Sequence, residues 1–222
     1  MPKIIILPTS HISEESITRI RNEIKNEKPD CVAVELDFLR YRLLSEKEKS
    51  PKSGLGFSTT FLIFALTWLQ NWLGRKVGIM PGSEMLSAIA ESQKAGIKIA
   101  FIDQEIIQTF QKIKSISLKE KIKLLFYVFE GLLLMPLISR FSKDRFDLKK
   151  VPPKDLIKTA MIHFRQKFPK FYKILVEERD EYMSERILQL SRHFEKVLVV
   201  TGAGHEKGIK KHLKKFPIFP IS

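Results

Sequence analysis

Residues 197–208 read VLVVTGAGHEKG, and this stretch decides the fold. Val197 to Val200 are too few and too β-branched for a helix, so they predict a buried strand. Thr201 to Gly204 then turn the chain. Gly202 and Gly204 permit close backbone approaches, which places His205 at the mouth of a strand-to-helix turn. A matching unit opens the sequence: Ile4 to Leu7 predicts a strand, Pro8 to Ser10 a turn, and His11 follows. Two strand–turn–histidine units predict one shared site.

Working outward, Lys3–Leu7 and Cys31–Leu36 are expected strands on either side of a helix over Ser13–Asn26. Ser13 is its expected N-cap, Glu14 and Glu15 favour its first turn, and Ile17, Ile20 and Ile24 recur at helical spacing. Pro29 and Asp30 stop it. Such a βαβ unit has parallel strands, which brings His11 and Glu35 to the same carboxyl edge of the sheet, where ligands of open α/β sheets bind. Further on, Ser83 is expected to cap a helix over Glu84–Ala95 that Gly96 ends, and Ile97–Ile102 predicts the next strand. Glu84 and Asp103 then reach that edge too, although Glu84 equally serves the helix dipole.

Residues 104–195 read as helical throughout. Ser117 and Glu120 form a capping box, Pro152 and Pro153 mark a connection, and Pro169 opens a last long helix to about Phe194. This helix carries a charged knot, Glu177, Glu178, Arg179, Asp180 and Glu181. On a solvated face such charges simply support one another, and Arg179 belongs to a site only if the helix lies against it. A basic helix, Glu206–Lys215, and an edge strand, Phe216–Ile221, close the chain. The expected fold class is α/β: a mostly parallel central sheet with flanking helices and a large helical insertion before the last core strand. Residues 1–103 and 196–222 form the core of a single 1–222 domain, with 104–195 inserted.

Composition sets limits on function. The chain has 222 residues, enough for a sizeable core, and one cysteine, Cys31, which excludes an intramolecular disulfide and favours a reducing compartment. Met1–Leu7 is too short an apolar block for a secretory signal, so the mature chain is expected to begin here and to reside in the cytoplasm, with membrane association as the second option. The net charge of +14 is uneven: +2 over 1–103, +7 over 104–195 and +5 over 196–222. No nucleic-acid motif accompanies this excess, so no nucleic-acid partner is expected. Residues 53–74 carry no charge, and Leu124–Ile138 is apolar but broken by Glu130, Gly131 and Pro136. Neither resembles a spanning helix. Packing in the core or in a homodimer interface is expected for both, the alternative being peripheral contact of an apolar face with a membrane.

His11, His205 and Glu35 at one edge make a reasonable set of ligands for a catalytic divalent metal ion, with positions left for water and substrate. Both histidines also precede helix N-termini, whose partial positive charge suits an anion, so a small-anion site stays open. His163, His193 and His212 lack this context.

PTSHIS, VAVELD, PGSEMLSAIAESQKAGIKIAFIDQEI, LVEERDEYM and VVTGAGHEKGI, in that order, resemble the TraB/PrgY family, with the Tiki-type metalloproteases as distant relatives. The resemblance implies an α/β core with a helical insertion and a metal-dependent peptidase or other hydrolase acting on peptide-like substrates. It carries the paired GxxH histidines onto His11 and His205, the acidic strand-end residue onto Glu35, and the arginine of the ERD segment onto Arg179. These imply metal ligation by His11, Glu35 and His205, catalysis by Glu35 and Arg179, and substrate binding by Arg179, with Glu84 as a further contact suggested by its place at the sheet edge. Where the pattern has glycine at the start of the first GxxH, this chain has Pro8, which stiffens the turn and removes an N–H. The alternative class is a non-catalytic module that binds peptides or docks on a membrane surface.

Overall fold

In a computed structural model, which describes residues 2–9, 14–45, 82–141 and 154–216, four strands form one parallel sheet. They are β1 (Lys3–Thr9), β2 (Cys31–Val34), β3 (Lys98–Phe101) and β4 (Lys196–Gly202), in the order β1-β4-β2-β3. Consequently β4, the last strand in sequence, lies between the first two. Ile6 pairs with Val199 and Thr9 with Gly202, while Val34 is level with both Val200 and Phe101. This register brings Glu35 and Ile102, the first residues beyond β2 and β3, level with Thr201 near the end of β4. His11, Ser13, the uncharged span 53–74, the Pro152–Pro153 connection and residues 217–221 of the expected edge strand lie outside the described residues.

Strand side chains alternate between two cores, as a sheet covered on both faces requires. Ile5, Leu7, Val32, Val34, Leu198 and Val200 pack with Ile20 and Ile24 of α1 (Glu14–Glu27) and Met85, Ala88 and Ile89 of α3 (Ser83–Lys94). On the other face, Ile4, Ile6, Ala33, Val197 and Val199 pack with Met183 and Ile187 of α8 (Glu178–Leu190) and Ile209 and Leu213 of α9 (Glu206–Leu213). A fully buried aliphatic side chain contributes roughly 1.5–3 kcal/mol relative to an exposed one, so the β-branched runs of the sequence hold the sheet between its two helix layers.

Helix α3 ends as its sequence predicts. Gly96 adopts φ +67°, and the N–H groups of Gly96 and Ile97 donate to the carbonyls of Gln93 and Ser92, closing a Schellman motif. Its start differs from expectation. The cap position is Gly82, at φ +86°, and Ser83 is the first helical residue, so its hydroxyl is buried within the helix and makes no capping bond. Glycine takes this left-handed conformation without a Cβ penalty, which moves the boundary by one residue.

Between β3 and β4 run α4 (Ile106–Lys114), α5 (Leu118–Phe141), α6 (Lys154–Lys167), α7 (Pro169–Tyr172), a π-helical turn (Lys173–Glu177) and α8. A third core, Ile113, Ile116, Leu124, Phe168, Phe171 and Ile174, ties α4, α5 and α7 together. The capping box at α5 forms, with the Ser117 hydroxyl accepting from Glu120 N–H at 3.3 Å and donating to its carboxylate at 3.0 Å. The apolar stretch from Leu124 is only partly covered: Leu124 is buried, whereas Phe126 and Phe129 are exposed. Among the described residues no helix is long and apolar enough to cross a membrane.

Candidate functional site

At the carboxyl edge of the sheet, the first residue beyond β2 is Glu35, only 4% exposed. Its backbone N–H still donates to Val200 at 3.0 Å, which continues the ladder and fixes the side chain over β4. There one carboxylate oxygen, Oε2, accepts from the Thr201 hydroxyl at 2.7 Å and from the Gly202 N–H at 2.6 Å. The TG of the decisive stretch thus serves as a cradle for the Glu35 carboxylate.

The other oxygen, Oε1, accepts from Arg179 Nη2 at 2.6 Å. Arg179 reaches the edge from the first turn of α8, so the charged knot is divided between site and surface. Its Nε and Nη2 donate to the two oxygens of Asp103, just beyond β3, at 2.9 and 2.6 Å. Its Nη1 donates to the carbonyl of Leu175, in the π turn, at 3.2 Å. Such turns recur where a helix must re-aim a functional side chain. Burial alone would lower the pKa of this guanidinium, but Glu35 and Asp103 outweigh it and raise the value above that of a free arginine. The arginine is therefore a permanent buried cation held by two carboxylates. Arg40 of α2 (Phe38–Ser45) adds a second cation, donating to Asp103 Oδ2 at 2.9 Å.

His205 closes the cluster at the N-cap position of α9. Its Nδ1 lies 2.7 Å from Asp180 Oδ1, and its Nε2 lies 3.3 Å from Arg179 Nη1 and 3.4 Å from Glu35 Oε1. A carboxylate on Nδ1 orients the ring and leaves Nε2 as the working nitrogen. Burial pushes the Asp180 carboxyl above the usual carboxylate range, while His205 and Arg179 pull it back. Asp180 can approach because residue 208 is glycine: a Cβ there would overlap the Asp180 carboxylate. The spacing G-x-x-H-x-x-G from Gly202 to Gly208 thus couples the strand end, the histidine and its orienting acid.

Of the sequence candidates, Glu35, Arg179 and His205 come together, and His11 lies outside the described residues. Glu84 is buried in the first turn of α3, in the opposite helix layer from Arg179. Sequence alone places Asp103 at this edge without a role and Asp180 only within the charged knot, and nothing in it points to Arg40. Gly208, three residues after His205, was the available sign of Asp180, but its meaning depends on α8 lying across α9.

Glu35, Asp103 and Asp180 surround the two guanidiniums, and buried Asp37 lies within electrostatic range of Arg40 and Asp103, so carboxyl groups outnumber guanidiniums here. A buried excess of this kind suits a further cation. Glu35 Oε1 and His205 Nε2 are chemically suited to a divalent metal, yet both also face Arg179. Among the described residues no group of three His, Cys, Asp or Glu side chains is arranged to hold an ion.

A parallel α/β domain whose edge carries a buried Glu–Arg–Asp and His–Asp network defines the class of protein. Residues 2–216 match the TraB/PrgY/gumN family model, and the chain belongs to that family. It is 33% identical over 228 residues to an uncharacterized protein of Methanocaldococcus jannaschii, covering 96% of this chain and 53% of that protein. It is 26% identical over 242 residues to TraB domain-containing proteins of Bos taurus and Homo sapiens, covering 95% of this chain and 62% of each. The chain thus spans between half and two-thirds of the length of these curated relatives.

Proposed function

We propose that this chain is a metal-dependent hydrolase domain of the TraB/PrgY type acting on peptide-like substrates. The observation that carries the reading is the convergence of His205, backed by Asp180, with Glu35, backed by Thr201 and Gly202, on one buried point at the carboxyl edge. His205 Nε2, Glu35 and His11 are the proposed ligands. A bound divalent ion would supply an acidified water and a polarised carbonyl. The chain's own residues do the remainder. Asp180 holds the imidazole with Nε2 facing the site, and the Thr201 hydroxyl and Gly202 N–H anchor one oxygen of Glu35 so that the other stays directed inward. Arg179 balances that charge, and its Nη1, 3.3 Å from His205 Nε2, is the proposed donor to negative charge developing on a substrate oxygen. Glu84 is a proposed substrate contact.

The test combines metal analysis of the purified protein with turnover of a peptide library in manganese, cobalt and zinc. Bound metal that is lost in His205→Ala, together with metal-dependent cleavage that disappears in the same variant, is the expected result. Intact metal binding and cleavage in that variant would refute the assignment.

One observation favours a second reading, a non-catalytic module that binds peptides or docks on a membrane surface. Leu118, Ile122, Phe126 and Phe129 recur at helical spacing along α5, all are exposed, and the exposed Lys119 neighbours them. Binding to anionic vesicles that is lost in Phe126→Glu, without any peptide turnover, would select it. Homodimerisation is the other proposed use of such a face, and sedimentation at several concentrations tests it.

A further inference from the structure

The outer side of the His205–Asp180 pair opens into a cleft of about 1240 Å³, larger than the usual pocket for one small ligand. Asp180 and Gly204 belong to its lining, and Asp180 links it to His205. Among the described residues its lining holds eight lysines and arginines against five carboxylates. Four of those carboxylates already have partners: Asp180 meets His205 at 2.7 Å, Glu177 Arg165 at 3.1 Å, Glu178 Lys112 at 2.6 Å and Glu206 Lys210 at 3.4 Å. The basic excess lies on α9 and its end, where Lys207, Lys211 and Lys214 are exposed, follow one helical stripe, and make no ion pair among the described residues.

Between the charged walls lies an apolar strip. Ile6, Ala203 and Met161 contribute to it, and the Met161 methyl lies 3.4 Å from where a Cβ on Gly204 would stand. This pattern does not suit a nucleic acid. Among the described residues Tyr172 is the sole phenyl or indole ring lining the cleft, so successive bases have no row of stacking platforms, and the paired carboxylates interleaved with the lysines break up the continuous basic track that a phosphate backbone follows. A polypeptide that carries separated carboxylates and an apolar side chain matches both features.

From this juxtaposition we infer that the cleft is the substrate groove and selects acidic peptide segments, with carboxylates seated on Lys207, Lys211 and Lys214 and an apolar side chain on Met161. The inference rests on the reading of the His205 edge as a site acting on peptides. Binding is measured by fluorescence anisotropy with the full chain in EDTA, so that it is independent of turnover. The probes are a short labelled peptide of glutamate and leucine, its counterpart with glutamine for glutamate, and a single-stranded RNA of similar length.

The glutamate peptide is expected to bind at least ~10-fold more tightly than the glutamine peptide, with an advantage that shrinks as salt screens it. Lys207→Glu with Lys211→Glu should erase that advantage, as should the milder Lys207→Gln with Lys211→Gln, while Lys25→Glu with Lys98→Glu, on exposed sites elsewhere, should retain it. Equal affinity for the two peptides, tighter binding of RNA, or indifference to the Lys207 and Lys211 changes would overturn the inference. Metal-dependent cleavage of neutral but not acidic peptides would remove the acidic preference and leave the hydrolase. Selective acidic-peptide binding without turnover in any divalent metal would support the groove and remove the hydrolase.

Discussion

Arg179 meets Asp103 side-on, Nε to Oδ1 at 2.9 Å and Nη2 to Oδ2 at 2.6 Å, and the same Nη2 bridges to Glu35 at 2.6 Å. One guanidinium thus ties the ends of β2 and β3 to α8. Its side chain is 15% exposed, and those of its two carboxylate partners 4% and 2%, so these are interior ion pairs. An ammonium has no planar fork to repeat this arrangement.

On a solvated helix face, Arg179→Lys would leave folding almost unchanged. In this setting it is expected to lower stability by roughly 1–3 kcal/mol, and Arg179→Ala by roughly 3–5 kcal/mol, because carboxylates stay buried without their partner. Urea unfolding with an unchanged m-value measures both. A loss below about 0.5 kcal/mol in Arg179→Ala would show that the buried pairs do not carry this stability.

Gly208→Ala should act through Asp180. The added methyl displaces the carboxylate from His205, which predicts a destabilisation of roughly 1–3 kcal/mol and loss of the orienting hydrogen bond. In an Asp180→Ala background the overlap with the carboxylate is gone and only the close contact with the residue-180 Cβ, at 3.1 Å, remains, so most of the cost should vanish. Additive costs in that double-mutant cycle would mean that Gly208 is needed for some other reason.

Asp37 offers a pH test with a definite sign. Burial raises its carboxyl above the ordinary 3.8, opposed by the backbone N–H and charge of Arg40. The folded state therefore binds a proton more tightly than the unfolded state. Stability from the protonated form is present below 3.8 and is lost as pH rises through the raised folded value. Asp37→Asn keeps an acceptor for the Arg40 N–H, which the aspartate receives at 3.0 Å, and removes the titration. Thermal melts should show the variant gaining on the parent as pH rises from about 3 to about 7. A constant difference across that range would contradict the assignment.

Cys31 is predicted to be inert in the native protein. It is 1% exposed within β2, and burial pushes its thiol up to about 11. An alkylating reagent at mildly alkaline pH should label it only after denaturation. Rapid labelling of the folded protein would show that β2 opens readily.

Much of this protein is determined by local sequence. The β-branched runs at Ile4, Val32 and Val197, the turn at Gly96 and the box at Ser117 and Glu120 act within a few residues, so their strands, helix end and helix start are legible in one dimension. The parallel βαβ connections also follow, and they placed Glu35 and His205 at a common edge without knowledge of any contact. Tertiary structure decided what those residues do there. The insertion of β4 between β1 and β2 put Thr201 and Gly202 under Glu35, a pairing of residues 166 and 167 positions apart. The packing of α8 across the sheet turned two of five adjacent charges inward, Arg179 to Glu35 and Asp103 and Asp180 to His205, and left Glu177 to Arg165 and Glu178 to Lys112 outside. A helix records in its sequence which residues share a face, but the charge that a buried carboxylate needs comes from whichever element the fold lays against it, and that choice is made in three dimensions.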